Sequence, residues 1–369
     1  MTSSSASPAD PADPADPADF TVNRPGALIA GLPAVLGFVP EHSLVLALIE
    51  RGRLGAVMRV DLFEGLVDDV AQLAAAAAGS RPEGVVAVIV DDVDDVDDEG
   101  SPCGQCVEDH RRLAAALADE LEAYGIALWD VHVVDRVGVG GRWRCLFGCG
   151  GGQVDDPTSS PMAMAAVLDG RRLYGRRDEL QAVIATTDEH RSAGLAPAAR
   201  AQERRRARAR GTDPQRSART DARAVIAAAD RVAGGAELSE GELAELAAAL
   251  ADEMVRDVLF ALAAGERADQ AEALWVDLAR TLPGPWRAHA LTLLAFFAYV
   301  RGDGPLAGIS LEAALSCQPA HRMAGMLDRA LQTGMHPLQI HELALTGYQV
   351  AARIGVSLPP RRARRTGAP

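Results

Sequence analysis

The chain has 369 residues, nearly half of them hydrophobic, which is enough for two domains and a sizeable core. A formal net charge of -14 argues against a protein whose whole surface courts nucleic acid or anionic membrane. There is no lysine, and all 37 basic residues are arginine. Beside so much Ala, Gly, Asp and Val, that choice reads as the codon bias of a high-GC genome, not as a device for binding phosphate.

Residues 1–24 are Ser-rich and then repeat Pro-Ala-Asp four times. Proline at every third position blocks helix and sheet alike, so this is read as a disordered tail. Residues 25–190 read as an α/β domain. A helix-like piece from Pro25 precedes two strand-like runs, Leu44 to Ile49 and Ala56 to Leu62, with Glu50-Arg51-Gly52-Arg53 as the hairpin turn. Gly84 to Val90 is a continuous β-branched run, as expected of a strand buried on both faces. Val107 to Tyr124 reads as a helix with Leu113, Leu117 and Leu121 on one face. Two further strand-like runs are joined by glycines at 138–141, and that late hairpin predicts a mixed sheet. Ser159 or Ser160 is placed to cap a helix starting at Pro161.

Residues 191–218 read as an Arg-rich linker or helix. Between 198 and 223 nine arginines face three acids, with no aromatic residue to stack on bases. Docking on the protein's own acidic surface is preferred there over nucleic-acid binding. Residues 219–345 read as an all-α helical domain, and 346–369 as a basic tail. Ala288 to Val300 is the longest strongly apolar helix-like run, too short to span a bilayer, and reads as a core helix. Leu291, Leu294, Ala295, Ala307, Leu311, Ala314 and Pro319 fit one tetratricopeptide-type hairpin, or equally an ordinary hairpin in a small bundle.

Five cysteines, an odd number, make no disulfide framework, and no signal-type leader is visible, so a cytoplasmic location is expected. Cys103-x2-Cys106 and Cys145-x3-Cys149 could together supply four thiolates to zinc. Against this, a whole helix and a strand separate the pairs, so the plain reading is one strand cysteine and three loop thiols. No cofactor is otherwise expected. Asp95, Asp97, Glu99 and Gly100 match part of a calcium loop, but Cys106 stands where a bidentate Glu is needed and no helix enters. The glycines before Trp143 have the wrong spacing for a dinucleotide fingerprint. The eight histidines are scattered, none at metal-ligand spacing.

Four blocks occur in order: "GALIAGLPAVLGFVPEHSLVLALIERGRLGAVMRVDL", "GGRWRCLFGC", "DDPTSSPMAMAAVLDGRRLYGRRDEL" and "LPGPWRAHALTLLAFFAYVRGDGPLAGISLEAALSCQP". Together they resemble an actinobacterial family known as domain of unknown function 4192. The resemblance runs from about Pro25 to about Gly334 and implies no activity, since the family has none assigned. Its pattern has a cysteine soon after the tryptophan and often a Cys-Cys pair further on. Cys145 and Cys149 occupy that neighbourhood, with glycines where the pair would stand.

The favoured reading is therefore a non-enzymatic interaction or regulatory module whose helical domain binds a protein partner. An open apolar groove along 288–332 would support it. The rival is a small-ligand binder or enzyme with a pocket at the strand ends near Asp91, Asp135 and Arg142. Nucleic-acid binding through the arginine segment is a third reading. No membrane anchor is expected.

Overall fold

The computed structural model describes residues 24–91, 104–168, 171, 173–211, 213–333, 335 and 337–362. The Pro-Ala-Asp repeat, the acidic stretch with Cys103, and the last seven residues lie outside them. The chain divides into two compact units. One holds residues up to Leu32, His42–Ala71 and Arg81–Leu168; the other holds Pro33–Glu41, Gln72–Ser80 and everything from Asp169.

The first unit is built on a six-stranded sheet in the order β2-β1-β3-β4-β5-β6. Strands β1 (Ser43–Glu50) and β2 (Arg53–Asp61) form the expected hairpin, with Glu50 opposite Arg53. Arg51 and Gly52 between them are both left-handed, φ 53 and 71, the two-residue turn whose twist matches a hairpin. Strand β3 (Gly84–Val90) is buried along its whole length, as its unbroken apolar run requires. It lies antiparallel to β1 and parallel to β4 (Ala127–Val134). Strands β5 (Arg142–Cys145) and β6 (Gly151–Gln153) continue antiparallel, so the sheet is mixed.

Helix α1 (Pro25–Leu36) places Leu28 against Ala47, Ile49 and Val86, and the Leu, Ile and Val side chains contribute about 2 kcal/mol each by leaving water. Helix α2 is Leu66–Ala78. The parallel pair β3–β4 needs a crossover, which α3 (Gly104–Glu122) supplies. Leu113, Leu117 and Leu121 are buried on it, as their spacing foretells. Ser160 Oγ accepts the Ala163 N–H at 3.1 Å and caps α4 (Pro161–Leu168).

The second unit is helical. Its helices are α5 (Arg177–Ala182), α6 (Glu189–Arg210), α7 (Pro214–Ala233), α8 (Glu240–Leu250), α9 (Glu253–Phe260), α10 (Ala268–Thr281), α11 (Gly284–Val300), α12 (Gly304–Cys317), α13 (Arg322–Gln332) and α14 (Pro337–Ile354). A short 3-10 turn, Ala261–Ala264, follows α9. Side-chain caps fix several starts: Asp188 on α6, Asp213 on α7, Asp303 on α12, and a reciprocal Ser239–Glu242 box on α8. Beyond His289, helix α11 is apolar on every face save for Thr292, and Ala290 to Tyr299 are buried without a break. It packs against α8, α9, α10, α12, α13 and α14, which is the environment a helix without a polar face needs.

The arginine segment is helical, in α6 and α7. Arg206 Nε donates to Asp221 Oδ1 at 2.9 Å, and both side chains are largely buried. Arg223 Nη2 donates to the Gly355 carbonyl at 2.7 Å, just past the end of α14. Helix α14 runs on past residue 345 and ends at Ile354, inside the 346–369 stretch that reads as a basic tail. Beyond it, Arg362 donates to Asp269 at 2.9 Å and to the Ala264 carbonyl through its backbone N–H. No helix among the described residues is long and apolar enough to cross a membrane.

Candidate functional site

Strand β3 ends at Val90, but the Asp91 N–H still donates to the Val134 carbonyl at 3.0 Å. The parallel ladder therefore fixes the Asp91 backbone. Because β1 runs the other way, its first residue, Ser43, pairs with Val90. That pairing brings His42 to the same sheet end. Helix α3, returning over the sheet, brings His110 there on its buried face.

One carboxylate joins the two imidazoles. Asp91 Oδ2 lies 2.9 Å from His110 Nε2, and Asp91 Oδ1 lies 3.2 Å from His42 Nδ1. The hydrogen bond from His110 holds the Asp91 carboxyl below its ordinary range. Burial pushes it the other way, and the charges of His110 and His42 add to the lowering. An ionised carboxylate only accepts, so His110 Nε2 is the donor of its hydrogen bond, while His42 Nδ1 lies within ion-pair distance. The side-chain exposures differ sharply, 7% for His110, 17% for Asp91 and 68% for His42. His42 Nε2 is thus left on an exposed ring whose other nitrogen is anchored. The His42 backbone is left-handed, φ 44, a conformation that costs a non-glycine residue about 1–3 kcal/mol and gathers at functional sites. Its carbonyl is held by the Leu62 N–H at 2.8 Å. Beside it, Arg59 Nε donates to Ser43 Oγ at 2.8 Å, and the Arg59 guanidinium pairs with Asp61.

Of the three residues picked from sequence, Asp91 is the hub of this cluster. Asp135 does different work: its Oδ1 accepts the Arg136 and Arg142 backbone N–H groups at 2.6 and 2.7 Å. That closes the β4–β5 turn. Arg142 enters through its backbone, and its side chain is exposed. His42 and His110 were not picked. The available signals were a histidine just before the first strand, and a polar ring at 110 on the 113, 117, 121 face of a helix.

Of the four cysteines considered for zinc, Cys103 lies outside the described residues. Cys106 sits in the first turn of α3. Cys145, at the end of β5, and Cys149, in the following turn, form a disulfide with Cα atoms 5.6 Å apart. Asp130 on β4 joins them, its Oδ1 3.6 Å from Cys145 Sγ and 3.7 Å from Cys149 Sγ. Among the described residues these three make the one group of possible metal ligands whose atoms all lie within 4.8 Å, and Cys106 is not in it.

A family model described as Domain of unknown function (DUF4192) matches residues 25–338. The chain belongs to this family. The DUF4192 match takes in His42, Asp91 and His110 as well as Asp130, Cys145 and Cys149. It supplies a kinship and no chemistry, so the roles of these residues rest on their geometry. No curated protein and no solved structure matches the chain.

Proposed function

We propose that the α/β unit of this DUF4192 protein binds a small polar ligand at the carboxyl end of β3, and that His42 exchanges a proton with it. The observation that carries this reading is one half-buried carboxylate, Asp91, lying between exposed His42 and buried His110. A carboxylate behind an imidazole orients the ring, and an oriented, exposed imidazole suits acid–base work. His110 in turn holds the carboxylate from behind. Carboxyl ends of parallel strands are where sheets of this kind leave room for ligands.

The partner-binding reading of the helical unit has less support. It calls for an open apolar groove along 288–332, and α11 spends its apolar surface inside the bundle. The nucleic-acid reading is weakened because Arg206 and Arg223 are engaged within the helical unit.

Native mass spectrometry of gently purified protein, without chelator, is the first test. A retained small organic mass, absent from an Asp91→Asn variant, is expected. Histidine-labelled protein then identifies the class: phosphate, sugar phosphates, carboxylates and nucleotides are titrated in turn while the ring resonances are followed. One class should move the His42 signals in the wild type and not in Asp91→Asn. A bare mass together with His42 signals that none of these probes moves would overturn the proposal.

A further inference from the structure

A second constellation in the same unit is independent of the histidine cluster. Cys145 and Cys149 are joined within a turn between β5 and β6. The two sulfurs differ in access: Cys145 is buried, 6% exposed, whereas Cys149 is exposed. Asp130 Oδ1 sits within 3.7 Å of both Sγ atoms. The turn does not depend on the sulfur–sulfur bond. The Cys145 N–H donates to the Gly150 carbonyl at 2.7 Å, and the Gly148 N–H donates to the Cys145 carbonyl at 3.2 Å. Leu146 N–H further ties the turn to the Val131 carbonyl at 2.8 Å. Gly148 and Gly150, at φ 80 and 143, take backbone conformations that side chains resist. A disulfide across four positions also restrains the unfolded chain less than one closing a long loop. The bond therefore adds little that the backbone does not already secure, and the turn can hold its shape with the bond open.

We propose that Cys145 and Cys149 form a reversible thiol–disulfide exchange site, with Cys149 the attacking sulfur, Cys145 the resolving one, and the disulfide of a small thiol, RS–SR, as co-reactant. In the first step Cys149, having given its proton to solvent, attacks one reagent sulfur. A Cys149–SR bond forms, the S–S bond of the reagent breaks, and RS⁻ leaves and takes a proton from solvent. In the second step Cys145 passes its thiol proton to Asp130 Oδ1 and attacks Cys149 Sγ. The Cys149–SR bond breaks, and the second RS⁻ leaves with that proton. Two protein thiols are oxidised to one disulfide, and one RS–SR is reduced to two RSH. Exchange of this kind requires an accessible attacking sulfur and a partner within bonding reach. Asp130 is the base and then the acid of this second step, and its Oδ1 lies within reach of both sulfurs.

The test equilibrates the intact protein with mixtures of glutathione and glutathione disulfide, quenches it with an alkylating reagent, and weighs the tryptic peptide that begins at Cys145. That one peptide contains both cysteines, because Arg144 precedes Cys145 and the next arginine is Arg171. Expected is a smooth passage from a doubly alkylated to an internally bridged peptide, reversible in both directions. Cys145→Ser should trap glutathione on Cys149, and Cys149→Ser should react about tenfold more slowly, since its remaining sulfur is buried. Asp130→Asn should slow closure of the bridge without slowing the first attack, a split that a merely structural role would not produce. Circular dichroism establishes that each variant is folded. Four results would each overturn the proposal: a peptide doubly alkylated at every ratio, a bridge that resists excess glutathione in the folded protein, equal reactivity of the two single variants, or one equivalent of co-purifying zinc that shields both thiols. None of these bears on His42, so this proposal and the ligand site stand or fall separately.

Discussion

The pair His289 and His321 in the helical unit makes stability depend on pH in a way that can be worked out in advance. The Ala324 N–H donates to His321 Nδ1 at 3.1 Å. That leaves the His321 proton on Nε2, which lies 2.9 Å from His289 Nδ1. Neither ring has room for a second proton without losing an acceptor. Burial pushes His289 down from 6.5 to about 3, with the charges of Arg256 and His321 adding to the effect. His321 is lowered too, first by burial and then by Arg256. The folded state therefore refuses a proton that the unfolded chain accepts. Stability is complete above the unfolded value of 6.5 and falls as pH drops toward the folded value near 3. By about pH 5 the loss from His289 alone is about 2 kcal/mol, from roughly 1.5 units at about 1.4 kcal/mol each. That figure holds so long as the folded value is below about 4. The comparison is His289→Gln, which keeps an acceptor for His321 but cannot titrate. Urea unfolding followed by helical circular dichroism, at about pH 7.5 and about pH 5, should show the wild type losing about 2 kcal/mol more than the variant. Parallel losses in the two proteins would refute the reasoning.

Other outcomes follow from packing. Asp221→Ala leaves Arg206 in a largely buried place without its carboxylate, so unfolding free energy in urea should fall by about 3 kcal/mol. Gly347→Ala would put a methyl 2.5 Å from the Asp257 carbonyl and 3.0 Å from the Ala261 backbone nitrogen. Backbone cannot yield as a side chain can, so a loss of about 2 kcal/mol outweighs the gain of up to about 1 kcal/mol in helix propensity. Both are read from urea midpoints at constant slope. Filter binding of single- and double-stranded nucleic acid should be flat at moderate salt. Strong, salt-sensitive retention lost on replacing the exposed Arg200, Arg204 and Arg208 would contradict that.

Much of the sheet was legible because its cues are local. Gly84 to Val90 is uninterrupted because β3 is buried throughout, and the turn at Arg51-Gly52 carries its own chemistry. Leu113, Leu117 and Leu121 mark one face of α3, although the helix starts at Gly104, earlier than its apolar spacing begins. The sites were less legible because they depend on pairing between distant segments. Asp91 could be named from its place after a strand. His42 could not be joined to it without knowing that β1 lies antiparallel to β3, with Ser43 opposite Val90. The spacing of Cys145 and Cys149 was visible. Asp130 was not, since its place beside them depends on β4 pairing His132 with Cys145.

The two candidate sites share strand β4. Asp91 is tied to Val134 and the sulfurs to Asp130, four residues away, or about 13 Å along an extended strand. No hydrogen bond described at one site reaches the other. Side chains so far apart contribute independently unless a shared packed element links them. His132 is such an element in position: it lies between the two, is fully buried, and stands edge-on to Trp143 with ring centroids 5.2 Å apart. Trp143 in turn donates its indole N–H to the Gln153 carbonyl on β6 at 3.2 Å, across the turn that carries the cysteines. Reducing the disulfide while the His42 ring resonances are observed distinguishes the cases. Unmoved signals mean two separate functions on one strand. Signals that move in the wild type but not in Trp143→Ala mean that the redox state of the turn reaches the ligand site through His132 and Trp143.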